Sequence, residues 1–495
     1  MAKSLKPRLA IACAQLCIAA ALSSCAVGPN FHRPAAPTDT GYEQGPASAA
    51  LIGTGSNTQR LVADLKIPEQ WWTLFQSPKL DQLVAEALRA NPDVDAAKAA
   101  LRQAHELYLA QRTALLPTAA GGFSGDRFKN ALGTLANPSS LPQSNPYYNL
   151  YTAQLTVSYL PDIFGGVRRA NESALAQAEA ARFQLEATYL TLSSNVVVTV
   201  IQEASLRGQI EATDRLLQLQ QQLLDFVQQQ RGAGTASQLD LLTQQSLMAQ
   251  TAATLPPLRK QLAQTRDELT ALMGRLPAHA PAEQFALSDL TLPRELPLSV
   301  PSALVAQRPD VRLAEENLHA ASAQVGVALA NMLPQFSIDG TLGSSALQMS
   351  GLFGPYTGFW SLGGSLSQTL FDSGALLHRK RAADAALDQA AAQYRAAVIL
   401  ACQNVADALK ALREDAAALD ADATAAAAAQ RTLELTGRQR ELGTVSTTAV
   451  IAAEQSDQQA AINLVQAQSN RYSDTAALFQ ALGGGWWTRE GGKVQ

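Results

Sequence analysis

Cysteine is scarce in this chain, with four copies in 495 residues, and their placement excludes a disulfide framework. Cys13 and Cys17 fall in an apolar leader, Cys25 closes that leader, and Cys402 stands alone. Histidine is as sparse: His32, His105, His279, His319 and His378 are dispersed and form no HExxH or Cys/His cluster, which removes the usual zinc-hydrolase readings. No phosphate-cradling glycine loop is present either, since Gly483-Gly484-Gly485 ends a helical stretch before two tryptophans and reads as a terminator. The chain is therefore read as a non-enzyme that needs no metal or other cofactor. Proline is missing from residues 168–231 and again from 375–442, with one glycine in each stretch, Gly208 and Gly437. Nothing in either stretch stops a helix, and at 1.5 Å per residue each reaches roughly 100 Å. Helices in globular domains average about a dozen residues, so an ordinary globular fold is excluded.

The leader sets the compartment. Lys3, Lys6 and Arg8 precede an apolar run over residues 9–22, broken only by Gln15, the pattern of a secretory signal. The run is too short to span a bilayer. Leu22-Ser23-Ser24-Cys25 resembles the lipobox of bacterial lipoproteins, which makes residues 1–24 a removable signal and Cys25 the lipidated first residue of the mature chain, carrying S-diacylglycerol and N-palmitoyl groups. Removing the three leader cations leaves 35 of the 38 basic residues against 42 acidic ones, a net charge of −7. That balance argues against nucleic acid as a partner.

The body is duplicated. Asn91-Pro92-Asp93-Val94 is answered by Arg308-Pro309-Asp310-Val311, and Leu116-Pro117 by Leu333-Pro334, both at an offset of 217. Gly234-Thr235-Ala236-Ser237 is answered by Gly443-Thr444-Val445-Ser446, and Ala271-Leu272-Met273-Gly274 by Gln480-Ala481-Leu482-Gly483, both at 209. Repeats over 78–274 and 302–483 follow, with an N-terminal lipidated segment at 25–77, a Pro-rich equatorial link at 275–301 and a tail at 484–495. Each repeat holds a helix (79–115 in the first), a strand pair, a very long helix and a return helix, the latter at 238–273 with a break at Pro256-Pro257 and at 447–482. In the first return helix Leu241, Met248, Leu255, Leu262 and Leu269 recur every seven residues, a coiled-coil seam.

The segments before the long helices alternate with period two. Tyr151, Ala153, Leu155, Val157 and Tyr159 are apolar or aromatic, while Thr152, Gln154, Thr156 and Ser158 between them are polar. Phe336, Ile338 and Leu342, then Trp360, Leu362 and Leu366, repeat the pattern, and a weaker partner runs over 118–124. Aromatics gather in the same places: 13 of the 28 lie within 117–164 and 334–371, which fits the girdles of an outer-membrane barrel. The loops at 125–146 and 344–358 are rich in Gly, Ser, Asn and Pro and suit the cell exterior. Four strands cannot close a barrel, because about eight are needed, so copies must pool their strands.

With Cys25-Ala26-Val27-Gly28-Pro29-Asn30-Phe31, Arg33-Pro34, Trp71-Trp72, Phe75, Arg308-Pro309-Asp310-Val311, Leu370-Phe371-Asp372 and the run Ala481 to Trp486 in this order, the chain resembles the TolC-like outer-membrane factor family, in its OprM/NodT-type efflux lipoprotein branch. The resemblance covers the whole mature chain. It implies a mainly α protein with membrane β-structure: a homotrimer whose twelve strands form one barrel, continued by a long periplasmic α-helical barrel. It implies passive conduction across periplasm and outer membrane, with a periplasmic adaptor and an inner-membrane pump of RND type as partners, beside outer-membrane lipid. The tips, Arg231, Gly234, Thr235, Ser237 and Arg440, Gly443, Thr444, Ser446, are then where the adaptor docks and the duct narrows. Residue types there also follow from helix termination alone. At the gate positions of the return helix this chain has Thr448, Ala452 and Gln455, where relatives place an apolar residue, a carboxylate and an arginine. Asp240, Glu454 and Arg440 are the nearest charges for a different latch. Arg168, Arg169, Arg379, Lys380 and Arg381 gather where the strands give way to long helices, a position for anionic headgroups, and Asp162 and Asp372 read as caps. Two other readings share the composition: a lipid-anchored periplasmic coiled-coil scaffold whose strand pairs are soluble hairpins, and the protein-export duct of a type I secretion system.

Overall fold

A computed structural model describes residues 26–39, 41–42, 51–53, 58–63, 65–129 and 147–488. The leader, Cys25, much of the 125–146 loop and the last seven residues lie outside them. Two short strands come first, β1 (Leu51–Ile52) and β2 (Gln59–Ala63), then α1 (Pro78–Ala90) and α2 (Pro92–Thr113). The first repeat continues through β3 (Thr118–Lys129), β4 (Tyr147–Tyr159), the 67-residue α3 (Gly166–Gly232), α4 (Gln238–Ala252) and α5 (Leu255–Leu272). After β5 (Glu295–Leu298) the second runs α6 (Pro301–Gln307), α7 (Pro309–Ala330), β6 (Gln335–Ala346), β7 (Gly358–Ser367), the 67-residue α8 (Ala375–Glu441) and α9 (Thr447–Ala481).

Two expectations change. The helix read over 79–115 is two helices, because Pro92 supplies no N–H and forces Asn91 into extended backbone. The first return helix breaks at Ala253-Thr254, so that Pro256 and Pro257 occupy the first turn of α5, where a missing N–H costs nothing. Within the 275–301 link, β5 pairs in parallel with β2, which joins it to the N-terminal segment.

The chain divides into two compact units, to both of which α3 and α8 contribute. One holds residues 102–180 and 315–393 with residues 26–33, and its sheet has the order β3-β4-β6-β7, antiparallel throughout. The other holds β1, β2 and β5, α1, α4, α5, α6 and α9, and an aromatic core in which Trp71 stacks on Phe479 at 5.5 Å and Phe75 meets Tyr472. The heptad seam is real packing here: Leu241 joins Leu224 and Val227 in a buried cluster flanked by Met248, and Leu255 and Leu269 are buried further along.

Within that second unit the repeated landmarks meet one another. Asn91 donates from its side-chain amide to the Leu272 carbonyl at 2.9 Å and accepts from the Asp93 N–H at 2.8 Å. Its counterpart Arg308 donates to the Ala481 carbonyl at 3.1 Å and grips Asp310 at 2.9 and 2.6 Å. In each case the end of a return helix is bonded to the turn before a Pro-Asp-Val helix. Gly274 and Gly483 make this possible: both have positive φ, +70° and +94°, and a Cβ would lie 2.3 Å from the Ala90 carbonyl oxygen in the first and 2.8 Å from that of Gln307 in the second. Gly483→Ala is expected to destabilise this unit by roughly 1–3 kcal/mol through backbone strain, plus the displaced carbonyl. Thermal melting of the detergent-solubilised protein checks it, and an unchanged midpoint would refute the docking role.

Candidate functional site

The four-stranded sheet presents two faces of different chemistry. Register places Gly121, Leu155, Leu342 and Trp360 in one row, Ala119, Val157, Gly340 and Leu362 in the next, and Phe336 opposite Leu366. The opposite face carries Thr156, Thr341 and Ser361 in one row and Ser158, Asp339 and Gly363 in another. Its side chains bond across strands: Ser158 donates to Asp339 at 2.5 Å, Ser337 and Ser365 are 2.8 Å apart, and Thr152 and Ser345 are 3.2 Å apart. The apolar face is bare over most of its length, with Leu342 63% and Trp360 76% exposed. Apart from Ser344, no strand residue of this sheet is buried. β3 and β7 are free edges, each with one hydrogen-bonded neighbour. A soluble hairpin would need a core on one face, and among the described residues there is none.

At the junctions between strands and long helices, the basic residues divide. Asp162 accepts the N–H groups of Val167 and Arg168 at 3.0 and 2.9 Å and pairs with the Arg168 side chain at 3.2 Å. Arg169 is buried: it donates to the Val27 carbonyl at 3.2 Å, to Asn30 at 2.6 Å and to Glu172 at 2.8 Å. These two arginines are spent inside the chain, and the headgroup reading does not hold for them. Lys380 pairs with Asp384 at 2.6 Å, whereas Arg379 and Arg381 are exposed and make no ion pair with a described residue. Asp372 accepts from Gly374 and Leu376 at 2.9 and 2.7 Å, so both aspartates cap as read.

Arg169 is one anchor of a strap that sequence reasoning missed. Residues 26–33 lie along α3 and α7: Val27 N–H bonds to the Phe164 carbonyl at 3.0 Å, Phe31 stacks on His319 at 4.3 Å, and Arg33 pairs with buried Glu315 at 2.5 Å. His319 bridges onward to Glu172 at 3.0 Å. Burial pushes the Glu172 carboxyl up, but hydrogen bonds and charge from Arg169 and His319 outweigh it and hold the group below its ordinary value. Gly28 presses on Gly326 of α7, where a Cβ would lie 2.5 Å from the neighbouring Cα. Ala26 packs against Gly165, between β4 and α3.

The two tips share one construction. Gly234 and Gly443 are left-handed, at φ +76° and +74°; Thr235 N–H reaches back to the Gln230 carbonyl at 2.8 Å and Thr444 N–H to that of Gln439 at 3.0 Å. Both are Schellman turns. Ser237 and Ser446 then cap the return helices, accepting from Asp240 N–H at 3.1 Å and Ala449 N–H at 3.3 Å. Arg231 and Arg440 are solvated at the helix ends. Of the latch candidates, Asp240 is held by Ser237, accepting its N–H at 2.8 Å and its hydroxyl at 2.7 Å in a capping box. Neither Glu454 nor Arg440 makes an ion pair with a described residue. Ala452 is exposed, Thr448 is half-buried with its hydroxyl 2.6 Å from that of Ser446, and the half-buried Gln455 carries a buried amide nitrogen without a partner.

An exported chain with membrane-type strands and paired long helices defines an outer-membrane duct, and the comparisons agree. The profile of the outer membrane efflux protein family matches residues 83–275 and 300–484, so the chain belongs to that family. It is 32% identical over 427 residues to the pyoverdine export outer membrane protein OpmQ of Pseudomonas putida, covering 85% of this chain and 89% of that one. Nodulation protein T of Rhizobium leguminosarum is 28% identical over 469 residues, 94% of this chain and 92% of the relative. Among solved structures, the outer-membrane channel OprN superposes with a TM-score of 0.79 at 28% identity, covering 93% of this chain and all of that one. The open MtrE channel of Neisseria gonorrhoeae gives 0.78 at 26% identity, with 93% and 99% covered. The protein is thus an outer-membrane efflux channel component, of a family that is not enzymatic. No helix of the described residues is long and apolar enough to cross a membrane.

Asp240 generates a pH prediction. Hydrogen bonds from the Ser237 hydroxyl and backbone hold its carboxyl below the usual carboxylate range. A group depressed in the folded state contributes fully at neutral pH, and the contribution is lost as pH falls from about 4 through the depressed value. Amide-exchange protection in the first turn of α4, normalised to intrinsic rates, is expected to drop in that window and to lose this dependence in Asp240→Asn. Identical profiles for the two proteins would remove the box from tip stability.

Proposed function

We propose that three copies of this chain pool their sheets into a twelve-stranded barrel through which an inner-membrane pump, coupled by a periplasmic adaptor, expels small molecules or ions. The observation that carries this reading is the sheet with one bare apolar face, one hydrogen-bonded polar face and two unpaired edges. Two copies would reach eight strands, but side chains fill the interior of a barrel that size. Twelve strands leave a lumen. Free surface elsewhere supports assembly: no residue of α8 from 420 to 441 is buried within the chain, leaving a long face for neighbouring copies. Similar chains include a pyoverdine export outer membrane protein, a toluene efflux pump outer membrane protein of Pseudomonas putida and a cation efflux system protein of Escherichia coli, which favours small cargo over protein, with selection by an RND-type pump.

The tips carrying Arg231, Gly234, Thr235, Arg440, Gly443 and Thr444 dock the adaptor and narrow the duct. Within one chain Asp240 is committed to Ser237, so closure rests on steric approach of Thr448, Ala452 and Gln455 from the three copies, with Glu454 and Arg440 as the remaining charges for an ionic latch. Cys25 bears the acyl chains. Ala26 against Gly165 supports an anchor entering the periplasmic leaflet beside the strand ends. No other cofactor takes part.

Leu342→Arg places a cation on the lipid face and should cost about 2–4 kcal/mol per copy near mid-membrane, abolishing trimer insertion and conductance in planar bilayers. Thr341→Arg, one residue on and facing the lumen, should insert and lower cation conductance. Equal effects of the two would overturn the barrel. Cys25→Ser behind a replacement signal peptide should still give membrane-inserted trimers by sucrose-gradient flotation and cross-linking, whereas fully soluble protein would show the acyl chains to be the only anchor.

A further inference from the structure

Of the 344–358 stretch whose composition suits the cell exterior, residues 347–357 form the loop between β6 and β7, and its build is apolar. It contains no Asp, Glu, Lys or Arg, and Leu347, Met349, Leu352, Phe353, Pro355 and Tyr356 make up over half of it. It is not loose. Thr357 donates to the Leu352 and Gly354 carbonyls at 3.0 and 2.8 Å, Ser345 N–H bonds to the Thr357 carbonyl at 2.9 Å, and Leu352 is 2% exposed. On this fixed base Phe353 is 82% exposed and Tyr356 fully so. Tyr356 also sits at φ +65°, a left-handed conformation that Gly or Asn adopts more cheaply. A water-facing turn has no use for a tyrosine there.

Register tells which side the loop occupies. Ser344 stands opposite Ala153, in the same alternating set as Leu342 and Leu155, and is therefore on the apolar face. Its hydroxyl donates to the Leu352 carbonyl and lies 2.6 Å from that of Thr357. A shallow hollow is lined by Phe353 together with Phe123, Ala153, Leu155 and Leu342 of that same face. The loop thus folds down over the outward face at Ser344, takes up that hydroxyl, and continues the apolar band with its own aromatic residues.

We propose that residues 347–357 form a lipid-side flap whose Met349, Phe353 and Tyr356 insert among the acyl chains of the outer leaflet and fix the depth of the barrel. The inference rests on the barrel reading above. Aromatic side chains with one polar end favour that interfacial depth, and continuity with the lipid band selects lipid over a second copy. In a Cys25→Ser, Cys402→Ser background, single cysteines replacing Phe353, Leu342 or Thr341 are labelled with an environment-sensitive fluorophore. The trimers are reconstituted into phosphatidylethanolamine–phosphatidylglycerol vesicles with or without spin-labelled acyl chains. The label at 353 should be quenched by chains labelled near the headgroup several-fold more than the label at 341, and shielded from aqueous iodide. Iodide quenching at 353 equal to that at 341, without lipid quenching, would overturn the flap. Shielding from both quenchers would give the surface to a neighbouring copy and overturn it equally. Absence of lipid quenching at 342 would reject the barrel itself, and the flap with it.

Discussion

A backbone N–H or carbonyl inside a bilayer must find another backbone group, because no water is there to take its place. Four strands cannot meet that demand alone. The sheet leaves β3 and β7 with one neighbour each, and every other feature answers to that deficit. Six residues separate β4 from α3 and seven separate β7 from α8, Asp162 and Asp372 cap those helix starts, and α8 has no buried residue from 420 to 441 within the chain. The polar face of the sheet reduces its own cost by cross-strand bonds among Ser158, Asp339, Ser337 and Ser365.

Duplication has a mechanical meaning visible in which residues touch. The Pro-Asp-Val turn and the glycine at the end of the return helix lie about 180 residues apart, yet in both repeats they form a single joint. The two joints differ in chemistry: a neutral amide in the first, a guanidinium clasped by Asp310 in the second. What they share is a carbonyl at a helix C-terminus that would otherwise lack a donor and a glycine that lets two backbones approach. Offsets of 217 and 209 persist because each half must close this joint, while the spacing between the two landmarks drifts by the length of the connecting segments.

The fold was legible wherever a single residue pattern determined a single structure. Proline-free stretches gave α3 and α8 to within two residues, alternation located all four strands, and the Gly-Thr-x-Ser runs gave both tips. Failures have one physical source, which is that a side chain's partner is not in its own neighbourhood. Arg169 looked like a free cation near a membrane because Asn30 and Val27 lie about 140 positions earlier. The strap itself has no periodicity to betray it; its signal was the concentration of Gly28, Asn30, Phe31 and Arg33 after the cysteine, each of which fills a specific contact. In the β6–β7 loop, glycine, serine and proline describe the backbone and not the exposed Phe353 and Tyr356 that it carries.

The tips show how a local and an assembled role compete for one side chain. Asp240 accepts both the Ser237 N–H and the Ser237 hydroxyl at Oδ2, and withdrawing that oxygen to meet a cation on another copy would leave the Ser237 N–H without its acceptor, while the Asp240 N–H keeps its bond to the Ser237 hydroxyl oxygen. A latch that drew on Oδ2 would therefore compete with the capping box, and an exposed ion pair has little to set against that loss. A closed state is better served by side chains with no competing commitment, and Ala452, exposed and without a polar group, meets that condition.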